Sequence, residues 1–213
     1  MVGAGPVGRR RASGVLAGRE GDGPVSDSNP WTGVAATVAG MPVRIDEVDA
    51  REASLRGSRV ASSLPRPGTS EGRQLRRWLT QLLVAERVVA AEAAARGLSA
   101  DGAPSEAEVL PDMAVRMEVG SVAASVLADP LARVVFADVT ASVHATDAEV
   151  ASYRARNPLR LRDETDVAAH LTAAARRRAF RLWLDARCAA VVRLAPGYEH
   201  PGDPRQPDNT HRH

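Results

Sequence analysis

Apolar and polar positions change period several times along the chain, and each change marks an element. Val34 to Val38, then Met41, Pro42 and Val43 beyond Ala39 and Gly40, read as a strand, a tight turn and a second strand. Pro42 confines its strand to an edge or a strand start. Asp46 is placed to cap a helix that carries Val48, Ala50, Ala53 and Leu55 and ends near Gly57. Ser58 to Gly68 is serine- and proline-rich and reads as a linker. The clearest period follows: Leu75, Trp78, Leu79, Leu82, Leu83, Val88 and Val89 recur at helical spacing up to Arg96, with Gly97 as the residue that closes the helix. The start lies at Thr69 or Ser70, which makes a helix of about seven turns.

Ser105 with Glu108, and Thr146 with Glu149, each match a capping box, in which serine or threonine and the acid three residues on satisfy each other's amides. Pro111 and Pro130 cut the segment between them into short helices, and Asp129 caps the one that Pro130 opens. Residues 138–145 alternate weakly, as an extended segment would. Asn157 and Pro158 stop the helix begun after Thr146. From Thr165 a last long helix carries Val167, Leu171, Ala175, Phe180, Leu182, Trp183, Leu184, Cys188, Val191 and Val192, with Pro196 as its expected end. The pattern predicts a mainly α fold, an irregular multi-helix domain with a short N-terminal β-hairpin.

Composition narrows this picture. With 213 residues, 44% of them hydrophobic but only 3% aromatic, the chain builds its core from small side chains. That length suits one domain plus tails. Residues 1–33 hold eight glycines and three prolines with no apolar period, and are expected to be a disordered extension. The domain then spans 34–194, and 195–213 is a flexible tail rich in His, Asp and Pro. All 28 basic residues are arginine, against 26 acids, for a formal charge of +2. So small an excess disfavours nucleic acid as the partner of the whole molecule. Cys188 is the single cysteine, which excludes a disulfide scaffold and a paired-cysteine zinc site. No apolar run follows the arginines at positions 9–11, so a cytoplasmic location is expected. No run of about 18 apolar residues predicts a membrane span.

Three groups of residues are candidates for chemistry. Gly68, Thr69, Ser70, Glu71 and Gly72 match G-x-S-x-G, the serine elbow of hydrolases and acyltransferases, with His144 or His170 as a conceivable base. An elbow needs a buried strand before it, and Pro65 and Pro67 stand there instead. A capped helix start accounts for the same residues without catalysis. In the tail, His200, Asp203, Asp208, His211 and His213 offer imidazole and carboxylate to a metal ion, or form an element that a partner recognises. Arg176, Arg177, Arg178 and Arg181 cluster in the last helix, while residues 98–129 carry Asp101, Glu106, Glu108, Asp112, Glu118 and Asp129 against Arg116 alone. Mutual attraction explains that division without a ligand, and nucleic acid or an acidic client is the functional alternative, with no aromatic residues interleaved among the arginines to stack on bases. Cys188, in an apolar stripe, reads as a small buried residue.

The segment from Thr37 to Val48, a hairpin with a central glycine leading into a helix, resembles the opening of SurA-type chaperones. The helix from Leu75 to Gly97 is similar to their second helix. Thr146-Asp147-Ala148-Glu149-Val150-Ala151-Ser152-Tyr153, with Asn157-Pro158, is similar to their T-D-x-E-V-x-x-Y and N-P segment. The resemblance spans about Val34 to Leu194. It implies a chaperone-like or peptide-binding module that buries apolar segments of an unfolded or extended client, with no cofactor. The parvulin-type prolyl isomerase domain of that family has no room between Pro158 and the last helix, so no catalytic residue carries over. Leu79, Leu82, Leu83 and Trp183 are the expected client-binding or core residues.

Overall fold

Ala39 and Gly40 turn the chain back on itself with φ angles of 49° and 84°. Positive φ at both positions of a two-residue loop matches the twist of the strands it joins. Glycine adopts it freely, whereas alanine does so at a cost of about 1 kcal/mol. The strands are β1 (Val34–Val38) and β2 (Met41–Arg44). The computed structural model describes residues 29–158, 163–203 and 208. The expected extension over 1–28, and His211 and His213, lie outside the described residues.

β2 runs without a loop into α1 (Ile45–Arg56). The expected cap at Asp46 is corrected to Arg44, which is still extended and donates its N–H to Glu47 at 2.9 Å. Asp46 falls inside the first turn, because the Ile45 N–H is already taken by the carbonyl of Gly33 at 3.0 Å. After a 3-10 turn at Ala61–Ser63 comes α2 (Ser70–Arg96), 27 residues ending on Gly97 at φ 65°. This helix, about 40 Å long, is the spine of the molecule. It packs against the sheet, α1, α5 (Ser121–Val126), α6 (Pro130–Val139) and α8 (Glu164–Val191).

Short helices α3 (Glu106–Val109) and α4 (Met113–Val119) precede α5, and α7 (Asp147–Arg156) follows α6. The capping boxes at Ser105 and Thr146 form as the spacing requires, and Asp129 caps α6 through Leu131 at 2.8 Å. Residues 138–145 are not extended. Burial of Val135 and Phe136 keeps α6 helical to Val139, and Arg96 holds Asp138 at 2.7 Å. Thr140 then closes the helix with its hydroxyl on the Phe136 carbonyl at 2.6 Å.

The last helix does not continue to Pro196. At Val192 the backbone becomes extended, and β3 (Val192–Leu194) pairs antiparallel with β1, giving a sheet of order β2-β1-β3. Ala36 faces Leu194 and Val38 faces Val192. An open strand edge, not a helix-breaking residue, ends α8. A register shift between Val34 and Ala36 breaks the alternation of β1, so Ala35 and Ala36 are both buried, in different parts of the core. Phe180 is the largest fully enclosed side chain, edge-on to Phe136 with centroids 5.6 Å apart and stacked on Trp183 at 5.4 Å. Among the described residues no helix is long and apolar enough to cross a membrane.

Replacing Ala39 by asparagine, which tolerates positive φ, should stabilise the fold by about 0.5–1 kcal/mol. Urea denaturation of the two proteins checks this; an unchanged or lower midpoint would show that the turn is not strained.

Candidate functional site

The Gly68–Gly72 motif is a helix start. The Thr69 hydroxyl caps α2 by accepting from the Gly72 N–H at 3.0 Å, and Ser70 is the first helical residue. A Cβ on Gly72 would stand 2.4 Å from the Arg66 carbonyl oxygen, so the glycine is required for the linker to pass the helix. Gly68 turns at φ 81°. The cavity beside Ser70 is lined by Pro65, Glu71, Leu75, Trp78 and Asp208 among others, with no histidine in its described lining. His144 lines a different cavity, with Tyr153, and the His170 ring stands 5.7 Å from that of Tyr153.

Of the tail residues named for metal binding, His200, Asp203 and Asp208 are among the described residues. Among the described residues no group of three His, Cys, Asp or Glu side chains could hold an ion. Asp208 instead receives two guanidinium groups, from Arg73 at 2.5 Å and Arg77 at 2.8 Å. The hydrogen bond from Arg73, with that from Arg77 and despite burial, holds its carboxyl down at about 2. Arg77 is itself buried, and its other anchor is the Gly197 carbonyl at 3.2 Å. His200 accepts from the Gly202 N–H at 3.0 Å.

Leu79 is wholly enclosed and Leu82 is buried, so both are core. Leu83 and Trp183 pack against that core and keep partial exposure. Accessible apolar surface lies elsewhere. Leu171, Ala174, Ala175, Arg178, Arg181, Asp185 and Cys188 recur three or four residues apart and form one stripe of α8, which lines three adjoining cavities.

The first cavity, about 420 Å³, lies between α7 and α8 and is walled by His144, Ala148, Ser152 and Tyr153. The second, about 200 Å³, is formed by Glu118 and Val119 of α4 against Arg177, Arg178 and Arg181. The third, about 460 Å³, is bounded by Gln81 and Ala85 of α2, the α4–α5 corner, Leu184, Cys188 and His200. Arg178 is shared by the first two, and Val119 and Arg181 by the last two. The stripe from Leu171 to Cys188 covers about 26 Å of helix.

Three groove residues carry a buried polar atom with no partner: the Tyr153 hydroxyl, Arg177 Nε and Gln81 Nε2. Such atoms are rare, because burial strips them of water at a cost of about 1–3 kcal/mol each. Cys188 supplies no nucleophile here, since burial and the nearby Asp185 charge push its thiol up to about 11. On α4, Met113 and Met117 lie one turn apart on a shared face and are 68% and 76% exposed. The apolar period of the last helix gives Leu171, Ala175 and Cys188; that Arg178, Arg181 and Asp185 share their face of a groove, and that Arg177 is buried, comes from the structure.

Two variants test these placements. Gly72→Ala should destabilise the protein by about 1–3 kcal/mol, opposite in sign to helix propensity, as overpacking against Arg66 outweighs it; equilibrium unfolding measures the sign. Asp208→Asn should lower the melting temperature at neutral pH. A depressed carboxyl stabilises the fold above its ordinary value of 3.8 and loses that effect as pH falls toward about 2. The difference between the two proteins should therefore narrow across that window, and a difference constant with pH would reject the docked tail.

A family model described as a family of unknown function (DUF7158) matches residues 34–71, which are the hairpin, α1 and the first residues of α2. No curated protein and no solved structure matches the chain.

Proposed function

We propose that this chain is a peptide-binding module, chaperone-like in its action, that takes an extended polypeptide segment into the groove along α8 and performs no covalent chemistry. The observation that carries this reading is the coincidence of the α8 stripe with three buried, partnerless polar atoms spread along one groove. An extended chain brings a carbonyl at every residue, and the exposed guanidinium groups of Arg178 and Arg181 on the stripe can donate to it. At about 3.3 Å per residue, the 26 Å stripe matches about eight residues of client.

Small side chains along the lining leave room for a client's backbone. Alanines at 85, 123, 145, 148, 174 and 175 leave space close to the helix backbones. Met113 and Met117, exposed on α4, are unbranched and adapt to irregular apolar surfaces. The resemblance to SurA-type chaperones points to the same activity. The serine-enzyme reading has less support, since Ser70 lacks an imidazole beside it and its glycines have a steric role.

Ser152 is exposed on α7 and lines the groove. Ser152→Trp should fill the first cavity and weaken binding of extended peptides by at least about tenfold, with little change in melting temperature. Fluorescence anisotropy with unstructured peptides, beside light scattering of a diluting denatured client, measures this. Equal binding by both proteins, or no binding by either, would reject the groove.

A further inference from the structure

The middle of the groove has a charge that its ends lack. Arg177, Arg178 and Arg181 stand together over the narrow second cavity, opposed there by Glu118 alone. Among the described residues, none of the three guanidinium groups has an ion-pair or hydrogen-bond partner, Glu118 included. Most other arginines among the described residues are engaged: Arg76 with Asp49 and Glu52, Arg96 with Glu92 and Asp138, Arg116 with Glu106, and Arg176 with the Val143 carbonyl. Arg177 is only 6% exposed. A guanidinium cannot shed its charge at any ordinary pH, so burial without a counterion is costly unless an anion arrives.

We infer that the groove selects an acidic segment: an extended stretch of a partner polypeptide with one or two carboxylates at its centre and small or apolar residues on either side. This rests on the peptide-binding reading above and specifies its client. The central carboxylates meet Arg177, Arg178 and Arg181, where planar guanidinium forks match carboxylate oxygens. The flanks of the segment lie against Leu171, Ala174 and Ala175 on one side and Ala85, Leu184 and Cys188 on the other. A polypeptide fits better than a nucleic acid. No aromatic side chain lines the arginine section to stack on bases, and Glu118 there, with Glu149 and Asp185 in the flanking cavities, would repel a continuous phosphate backbone.

The test compares three fluorescent probes on the full chain by anisotropy at low and moderate salt. One is an octapeptide with a central Asp-Glu pair between Ser, Val and Ala; the second is the same peptide with Asn-Gln; the third is an oligouridylate. The acidic peptide should bind at least about tenfold tighter than its amide analogue, with the gap shrinking as salt rises. In Arg178→Ala/Arg181→Ala, both exposed positions, the two peptides should bind within about twofold of each other. Circular dichroism melting shows that this variant is folded. If the wild-type protein binds both peptides equally, the acidic preference is wrong and the peptide-binding reading stands. If it binds neither, both fail. A preference that persists in the double variant, or oligouridylate binding as tight as that of the acidic peptide, overturns the assignment.

Discussion

The hydrogen bonds between β1 and β3 tie the end of the described domain to its beginning, and the geometry of the groove depends on them. β3 follows α8 with no intervening loop, so the register that sets Val192 against Val38 also sets the rotation of α8 about its own axis. A strand one residue out of register presents its other face. Carried back along α8, such a slip would rotate the helix by about 100°. Leu171, Arg178 and Cys188 would then no longer share a groove. The carbonyl of Val191, which accepts from Ala39 at 2.8 Å, extends the tie past the strand itself.

Arginine does much of the cross-linking that large apolar side chains do elsewhere. The core is mostly alanine, valine and leucine, and its few aromatic contacts gather at Phe136, Phe180 and Trp183. Around it, α1 is strapped to α2 by pairs of Arg76 with Glu52, Arg51 with Glu86 and Arg87 with Glu47. Glu92 joins α2 to α8 through Arg187 at 3.0 Å. Exposed pairs of this kind contribute little stability individually. Their value lies in direction, since a planar guanidinium bonded to two partners fixes the orientation of the helix that carries it. Against that background, three arginines without a partner within five residues of α8, one of them buried, stand out among the described residues.

Local signals in the sequence were read correctly where the physics is local. Thr69, Ser105, Asp129 and Thr146 cap helices because their side chains reach an amide two or three residues away. Gly97 closes α2 in the left-handed region for the same kind of reason. The misreadings all involve a distant partner. Asp46 was displaced as cap by a bond to Gly33, residues 138–145 by the packing of α6, and the end of α8 by an open strand edge some 150 residues earlier in the chain. Asp208, legible as a metal ligand, is committed to Arg73 and Arg77.

The chain by itself therefore determined its mainly helical class, the hairpin, most helix boundaries and the small-residue core, because propensity, capping and period act within a few residues. Tertiary structure alone decided that Leu79 and Leu82 are core, that Arg177 is buried without a counterion while Arg76 is paired, and that Gly72 faces a carbonyl and not a substrate. Burial and pairing are properties of neighbours brought together by folding, and no window of sequence contains both partners.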